Sequence, residues 1–149
     1  MNKYFIARLS TAFATAAVLA MLSPATARAE FAGDFTSPSG DVYCQMSVYD
    51  DGTGAVACEG GGRYEAPEPE CATHSAWGDR FYLKQGEAVV AQCHNDTIRS
   101  NQPFAPTLDY GRTQSVNTIT CDSEPSGITC TDESTGHFIT LSAESNTLG

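Results

Sequence analysis

Cysteine and histidine are the residue types whose spacing in this chain could support chemistry. Cys71 and His74 stand in "CATH", and Cys93 and His94 are adjacent in "CH". Together these four side chains have the ligand types of a zinc site. Adjacent ligands are unlike the usual zinc-finger spacing, so we favour a Cys71–Cys93 disulfide with two surface histidines. We predict no metal and no other cofactor.

The N-terminal residues have the three-part layout of an export signal. Lys3 and Arg8 form a basic start, residues 11–22 are apolar, and "ARA" ends at Ala29. The apolar run is too short to cross a bilayer, which takes about 20 residues. We therefore predict a cleaved signal peptide over residues 1–29, one exported domain over residues 30–149, and a secreted or extracytoplasmic location without a membrane span.

The chain is acidic, and removal of the predicted signal makes it more so. The full sequence has a net charge of −10. Without Lys3, Arg8 and Arg28, its 18 acidic residues face five basic ones, which gives a net charge of −13. Nucleic-acid binding and adsorption to anionic lipid both depend on basic residues. We expect no nucleic-acid partner, which leaves an extracytoplasmic protein or a small ligand.

The cysteines all follow the predicted cleavage site, and an even number in an exported chain indicates disulfides. In "CDSEPSGITC", a turn from Glu124 to Gly127 places the two cysteines opposite each other and within bonding reach. In "VYCQMSVYDDGTGAVAC", a turn at "DDGTG" likewise brings the second cysteine near the first. The predicted disulfide residues are Cys44, Cys58, Cys71, Cys93, Cys121 and Cys130.

Short segments of alternating polarity, separated by Gly, Pro, Asn and Asp, run through the rest of the chain. A strand is predicted from Val42, and others in "AVAC", "RFYL", "EAVVAQC", "SVNTITC", "GITCT" and "HFITLS". "CATHSAW" is the one candidate for a helical turn. We predict a mainly β fold, a small disulfide-stapled antiparallel sandwich or barrel built from short hairpins.

Two turns repeat the same residues, in "PSGDVYC" and in "PSGITC". Pro fixes φ at one turn position and Gly supplies a positive φ at another. Turn chemistry is therefore the simplest reason for the repeat.

No stretch marks a catalytic residue. The G-x-S-x-G and S-x-x-K patterns of serine enzymes are absent from the sequence. "DDGTG" does not continue into a calcium-binding EF-hand loop. We predict no catalytic site.

Several of these stretches resemble a family of small exported actinobacterial proteins whose role is not established. "FTSPSGDVYC", "CHNDT", "LDYGRT", "SGITC" and "TGHF" are similar to its motifs S-P-S-G-N-x-x-C, C-x-G-D-T, L-x-Y-G-x-T, S-G-V-T-C and G-H-G-F. Asp41 stands where the family has Asn, Asn95 replaces a Gly, and the second Gly of G-H-G-F is missing before Phe138. The resemblance implies a secreted or lipid-anchored, mainly β domain with cystines, and it implies no activity.

His137, Asp96 and Tyr110 are the candidate pocket residues within these stretches, although a local structural role would explain each of them. We predict a non-catalytic binding or cell-envelope-associated module. The alternatives are an extracytoplasmic hydrolase, with the three candidates together in one pocket, and a secreted enzyme inhibitor that presents the loop Gly60 to Glu70.

Overall fold

The structure is a computed structural model, and it describes residues 29–60, 77–101 and 104–149. Short, β-rich segments with turn residues between them form strands throughout these ranges, so the predicted mainly β fold is confirmed. One 3-10 helix, Ile98–Asn101, follows the fifth strand. The strands are β1 Ala29–Thr36, β2 Val42–Tyr49, β3 Gly54–Gly60, β4 Trp77–Lys84, β5 Val90–His94, β6 Thr113–Val116, β7 Ile119–Glu124, β8 Gly127–Asp132, β9 Phe138–Leu141 and β10 Asn146–Leu148.

The strands form two antiparallel sheets in which chain neighbours pair. Sheet A has the order β1-β2-β3-β4-β5, and sheet B has the order β10-β9-β8-β7-β6. The inner faces of the sheets pack together, and Cys58 Sγ of sheet A lies 3.8 Å from Cys130 Sγ of sheet B. Of the two predicted architectures, the observed one is a sandwich.

The core follows from the alternation of side chains along each strand. In β2, Val42, Cys44 and Met46 all point inward and are at most 1% exposed. Burying a large apolar side chain contributes roughly 1.5–3 kcal/mol. The remaining core residues are Phe35, Val56, Cys58, Phe81, Leu83, Leu108, Val116, Ile119, Cys121, Ile128, Cys130, Ile139 and Leu141.

Two disulfides join neighbouring strands, one in each sheet. Cys44 is bonded to Cys58 across β2 and β3, with 4.1 Å between the Cα atoms. Cys121 is bonded to Cys130 across β7 and β8, with 3.9 Å between the Cα atoms. The Cys121–Cys130 bond is as predicted, and Cys44 and Cys58, which the sequence places near each other, are bonded as well. Cys93 is also disulfide-bonded, and the partner predicted for it, Cys71, lies outside the described residues.

The structure departs from the predicted strands at three places. "SVNTITC" is two strands rather than one, because Asn117 has a φ of 50° and the chain turns between Val116 and Ile119. Asn adopts this left-handed conformation more readily than most residues. The outer strands β1 and β10 were not predicted. Both have one neighbour in their sheet, and half of the residues of β1 and two of the three in β10 are exposed.

The segment of residues 104–112 connects the two sheets at one end of the sandwich. Thr36 at the end of β1 donates to the Pro106 carbonyl (2.9 Å), and Leu108 donates to the Thr36 carbonyl (2.9 Å). Gly111 then donates to the Ser123 carbonyl in β7 (2.7 Å). Tyr110 is thereby held between sheet A and sheet B.

Candidate functional site

The first Pro-Ser-Gly turn (residues 37–41) links β1 to β2. Gly40 donates to the Ser37 carbonyl (2.9 Å) with a φ of 79°, and Pro38 occupies the second position of the turn. The Ser37 hydroxyl accepts from Val42 N–H (3.0 Å) and lies 3.1 Å from the Ser39 hydroxyl. The turn is therefore closed by side-chain hydroxyls as well as by the backbone.

The second Pro-Ser-Gly turn (residues 124–127) links β7 to β8, with Glu124 opposite Gly127. Gly127 has a φ of 138°, and a Cβ placed on it would lie 2.1 Å from the Leu141 carbonyl oxygen. Any other residue here would push away the end of β9. The glycine thus permits close approach of the neighbouring C-terminal turn (residues 142–145), where the Ser142 N–H donates to the Ser145 carbonyl (2.9 Å).

These three turns and Tyr110 enclose one pocket of about 230 Å³. The two turns that repeat Pro-Ser-Gly, 87 residues apart in the chain, meet across it because the two sheets pack face to face. Its walls carry hydroxyl and carboxyl groups beside a few apolar atoms. The lining residues are Ser37, Ser39, Asp41, Val42, Tyr110, Glu124, Pro125, Ser126, Gly127, Ser142, Ala143 and Glu144.

Behind the first turn lies a buried carboxylate, Glu59, at the end of β3. Glu59 is 2% exposed. Its Oε1 accepts from Arg80 Nε (2.7 Å) and from Ile98 N–H (3.1 Å), and its Oε2 accepts from the Thr97 hydroxyl (2.5 Å). Arg80 also donates to the Asp96 carbonyl (2.9 Å). A buried carboxylate needs such donors, since isolated burial of its charge is very unfavourable.

Arg99 connects this cluster to the pocket wall. Thr97 Oγ1 accepts from the Arg99 N–H (3.1 Å). The Arg99 guanidinium donates to the carbonyls of Gly40 (2.8 Å), Asp41 (2.6 Å) and Glu59 (3.3 Å). The hydrogen bonds to the Gly40 and Asp41 carbonyls fix the backbone of the first Pro-Ser-Gly turn. Arg99 is therefore a positioning residue for the pocket.

Tyr43 is buried on the outer face of sheet A, next to this cluster, although the alternation in β2 predicts a more open position. It is 3% exposed, and its hydroxyl donates to Asp34 Oδ2 (2.8 Å). Burial raises the pKa of the Tyr43 phenol, and the hydrogen bond to Asp34 raises it further. The phenol therefore stays protonated at any pH near neutrality.

The opposite end of the sandwich contains a second buried carboxylate, Asp132, at the end of β8. Asp132 is 0% exposed. Its Oδ2 accepts from Gly86 N–H in the β4–β5 turn (2.7 Å), and its Oδ1 accepts from the Thr118 hydroxyl in the β6–β7 turn (2.7 Å) and from Ser134 N–H (3.0 Å). Burial alone would raise the pKa of Asp132, but these hydrogen bonds lower it well below its usual range.

The three candidate pocket residues from the sequence lie in different places. Tyr110 lines the pocket. Asp96 accepts a long ion-pair contact from Arg80 (3.4 Å) and is 85% exposed at its side chain. His137 lies near the Asp132 end of β8, where its Nδ1 is 3.3 Å from the Gly149 carbonyl. Of the three, only Tyr110 lies at the pocket. Thr97 and Arg99, which follow Asp96 in the chain, contribute indirectly, because Arg99 bonds to Thr97 and to the carbonyls of the first Pro-Ser-Gly turn.

The histidines and cysteines of the zinc alternative are also placed only in part. Cys71 and His74 lie outside the described residues. His94 is not the surface residue predicted, because its side chain is 7% exposed and its Nδ1 lies 3.8 Å from Glu59 Oε1. Among the described residues, the one group with ligand atoms near enough to share an ion is Cys44, Cys58 and Cys130, whose sulfur atoms are all in disulfides.

The comparison with protein families adds one finding. A family model of unknown function, DUF6636, matches residues 14–148. The chain belongs to DUF6636. The predicted membership in a family of unknown function is therefore confirmed, and in this DUF6636 protein the match covers every strand described above. Neither the curated proteins nor the solved structures that were searched contain a match to this DUF6636 protein.

Over residues 29–60, 77–101 and 104–149 of this DUF6636 protein, the helical content is the short 3-10 helix Ile98–Asn101. In the part of the chain that the structure describes, no helix is long and apolar enough to cross a membrane. Within the described residues, strands and the turns between them form the pocket and carry the disulfides Cys44–Cys58 and Cys121–Cys130.

Proposed function

We propose that this protein is exported and acts outside the cytoplasm as a non-catalytic binding module, with the pocket between the two Pro-Ser-Gly turns as its binding site. One observation carries the proposal. Three of the five stretches that resemble family motifs, "SPSGD", "LDYG" and "SGITC", contribute residues to this one pocket. Turn chemistry alone gives no reason for separate turns to converge on a single cavity.

The pocket's size and construction support binding of a small ligand. Pockets for drug-sized molecules have volumes of about 300–1,000 Å³, and this one, at about 230 Å³, is somewhat smaller. The first turn is fixed by Arg99, and the second is held against the C-terminal turn by the close contact at Gly127. A pre-formed site of this kind loses little conformational freedom when a ligand binds.

Export is supported by the N-terminal layout and by the disulfides. Disulfides persist in oxidising compartments and are rare in the cytosol, and this protein has one across a hairpin in each sheet. Cleavage after Ala29 would leave residues 30–149 as the mature chain. We expect intact-mass analysis of the protein from culture medium or from the cell envelope to give Glu30 as the first residue, with three disulfides. An uncleaved chain that stays in the cytosol would contradict this part of the proposal.

Nuclear magnetic resonance can test the binding site directly. A library of small neutral, anionic and cationic fragments is added to the mature protein, and the amide signals of Ser39, Ser126 and Ala143 are followed. We expect saturable shifts at these pocket residues. Ala143→Trp should abolish the shifts by filling the pocket, whereas Glu133→Trp, on an exposed turn at the opposite end, should preserve them. The proposal is wrong if no fragment perturbs the pocket signals.

The alternatives from the sequence remain predictions. The loop Gly60 to Glu70, which an enzyme inhibitor would present, lies outside the described residues except for Gly60. A hydrolase would need reacting groups, and the three candidates do not meet in the pocket. The binding module is therefore the function that we put forward.

A further inference from the structure

The charge of the pocket indicates what it would bind. Its lining, which consists entirely of described residues, includes the carboxylates Asp41, Glu124 and Glu144 and contains no Lys, Arg or His. The carboxylates come from three different turns. Three separate parts of the chain therefore each bring an acidic residue to the same cavity.

Among the described residues, no ion pair joins an arginine, lysine or histidine to a carboxylate of the pocket. The Arg99 guanidinium donates to three backbone carbonyls, those of Gly40, Asp41 and Glu59. Its hydrogen bonds thus stabilise the chain behind the pocket rather than the Asp41 carboxylate in front. Like charges around a cavity disfavour one another, so a cationic ligand would relieve their repulsion.

A metal ion fits this arrangement poorly. Calcium takes six to eight oxygen ligands at about 2.3–2.6 Å, which requires the carboxylates to lie close together. Among the described residues, Asp41, Glu124 and Glu144 do not form a group whose ligand oxygens lie within 4.8 Å of one another. We therefore consider an organic cation as the ligand rather than a metal ion.

Tyr110 provides a further contact for such a cation. Tyr110 lines the same pocket and is 49% exposed. Organic cations, and quaternary ammonium groups above all, bind against aromatic rings through the ring's negative face. A volume of about 230 Å³ leaves room for a small organic cation.

We propose that this pocket binds a small organic ammonium ion, held by the carboxylates of the three turns and by the ring of Tyr110. The inference rests on the proposed binding function and specifies its ligand class. The hydroxyls of the serines in the lining would accept or donate hydrogen bonds to polar substituents of the ligand. Neutral molecules of the same shape would lose the charge attraction and the cation–π contact together.

Choline and 3,3-dimethylbutan-1-ol form a matched pair of probes, because they have the same shape and seven non-hydrogen atoms but only choline is charged. Each is titrated into the mature protein at low ionic strength, and the pocket amide signals report binding. We expect choline to bind at least tenfold more tightly than its neutral counterpart, and to weaken as salt is added.

Variants identify the groups responsible. Glu124→Gln and Glu144→Gln should each weaken choline binding by about three- to tenfold, while the matched control Glu133→Gln leaves it unchanged. Tyr110→Leu should weaken it by a similar factor, while Tyr110→Phe, which keeps the ring, has little effect. All four positions are exposed, so the variants are expected to fold.

The possible failures are distinguishable. Equal binding of the two probes, or pocket binding by neutral or anionic fragments without choline, would overturn the ammonium inference but leave the binding site in place. Tighter binding of Ca²⁺ than of choline would overturn it in favour of a metal site. If neither the probes nor any library fragment perturbs the pocket signals, both this inference and the proposed function are wrong.

Discussion

The two ends of the sandwich each contain a buried carboxylate, and they are stabilised differently. Glu59, behind the pocket, faces the guanidinium of Arg80 at 2.6 Å. Asp132, at the opposite end, accepts hydrogen bonds from backbone N–H groups and hydroxyls, among them Gly86 and Thr118. Glu59 has a cationic donor in addition to neutral ones, whereas the donors to Asp132 named here are all neutral.

The difference matches what surrounds each group. Around Asp132, the turns after β4, β6 and β8 converge on the carboxylate itself and close that end of the fold. At the other end, Glu59 secures the residues around Thr97 and Arg99, and Arg99 in turn holds a turn that borders an open pocket. Asp132 thus ties three turns together at one end of the sandwich. Glu59 acts through Thr97 and Arg99 on a turn that lines the pocket.

The largest effect is expected at Glu59. Glu59→Gln removes the buried charged partner of Arg80, whose side chain is 14% exposed, and leaves it only the longer contact with the exposed Asp96. Breaking a buried pair in this way costs about 3–5 kcal/mol. Urea unfolding of the oxidised protein measures the loss. The double variant Glu59→Gln/Arg80→Met should recover part of it, because no uncompensated charge then remains. A loss below 1 kcal/mol in the single variant would contradict the charge-paired description.

Asp132→Asn should have a smaller but clear effect. The amide keeps one acceptor oxygen but presents an N–H donor to one of the groups that donate to Asp132, and a buried donor without an acceptor costs about 1–3 kcal/mol. The matched control is Asp122→Asn in the same hairpin, a half-buried position in β7, which should stay within about 0.5 kcal/mol of the wild type. If Asp132→Asn costs more than Glu59→Gln, the contrast between the two ends is wrong.

Acid should reduce the contribution of Asp132 to the stability of the folded protein. The pKa of Asp132 is lower in the folded protein than its usual value of 3.8. The contribution of Asp132 to stability is therefore complete at pH values above 3.8, the pKa of an ordinary aspartate. This contribution is lost as the pH falls from 3.8 towards the lower pKa of the folded state. We expect the stability difference between wild type and Asp132→Asn to shrink by roughly 1–2 kcal/mol between pH 6 and pH 2.5. A difference that does not change with pH would contradict the lowered pKa.

The disulfide hairpins could be predicted from the sequence because their determinants are local. Pro125 and Gly127 define the turn between Cys121 and Cys130, and alternation along the two strands does the rest. The break at Asn117 was missed because "SVNTITC" keeps its β-rich composition through the turn. A single Asn is a weak signal unless its left-handed conformation is known.

The pocket could not be predicted in the same way. The repeat of Pro-Ser-Gly was visible and was interpreted as turn chemistry, which correctly describes each turn by itself. That the turns face each other depends on the packing of sheet A on sheet B. Glu59 was equally hidden, since "CEGGG" gives no sign that this acidic residue, out of 18, is buried beside Arg80. Long-range packing decides both features, and spacing along the chain does not reveal it.

The smallest effect on stability is expected at the pocket itself. Glu124 and Glu144 are exposed, and surface substitutions of this kind usually change stability by less than about 0.5 kcal/mol. Glu124→Gln/Glu144→Gln should therefore unfold at the same urea concentration as the wild type, or slightly higher because two like charges are removed. Glu133→Gln, at the Asp132 end, serves as the control for a change of surface charge. A loss above 1 kcal/mol in the double variant would mean that these carboxylates stabilise the fold, as Glu59 and Asp132 do. An unchanged unfolding midpoint would instead mean that stability does not require negative charge at this pocket, and that the charge is free to serve binding.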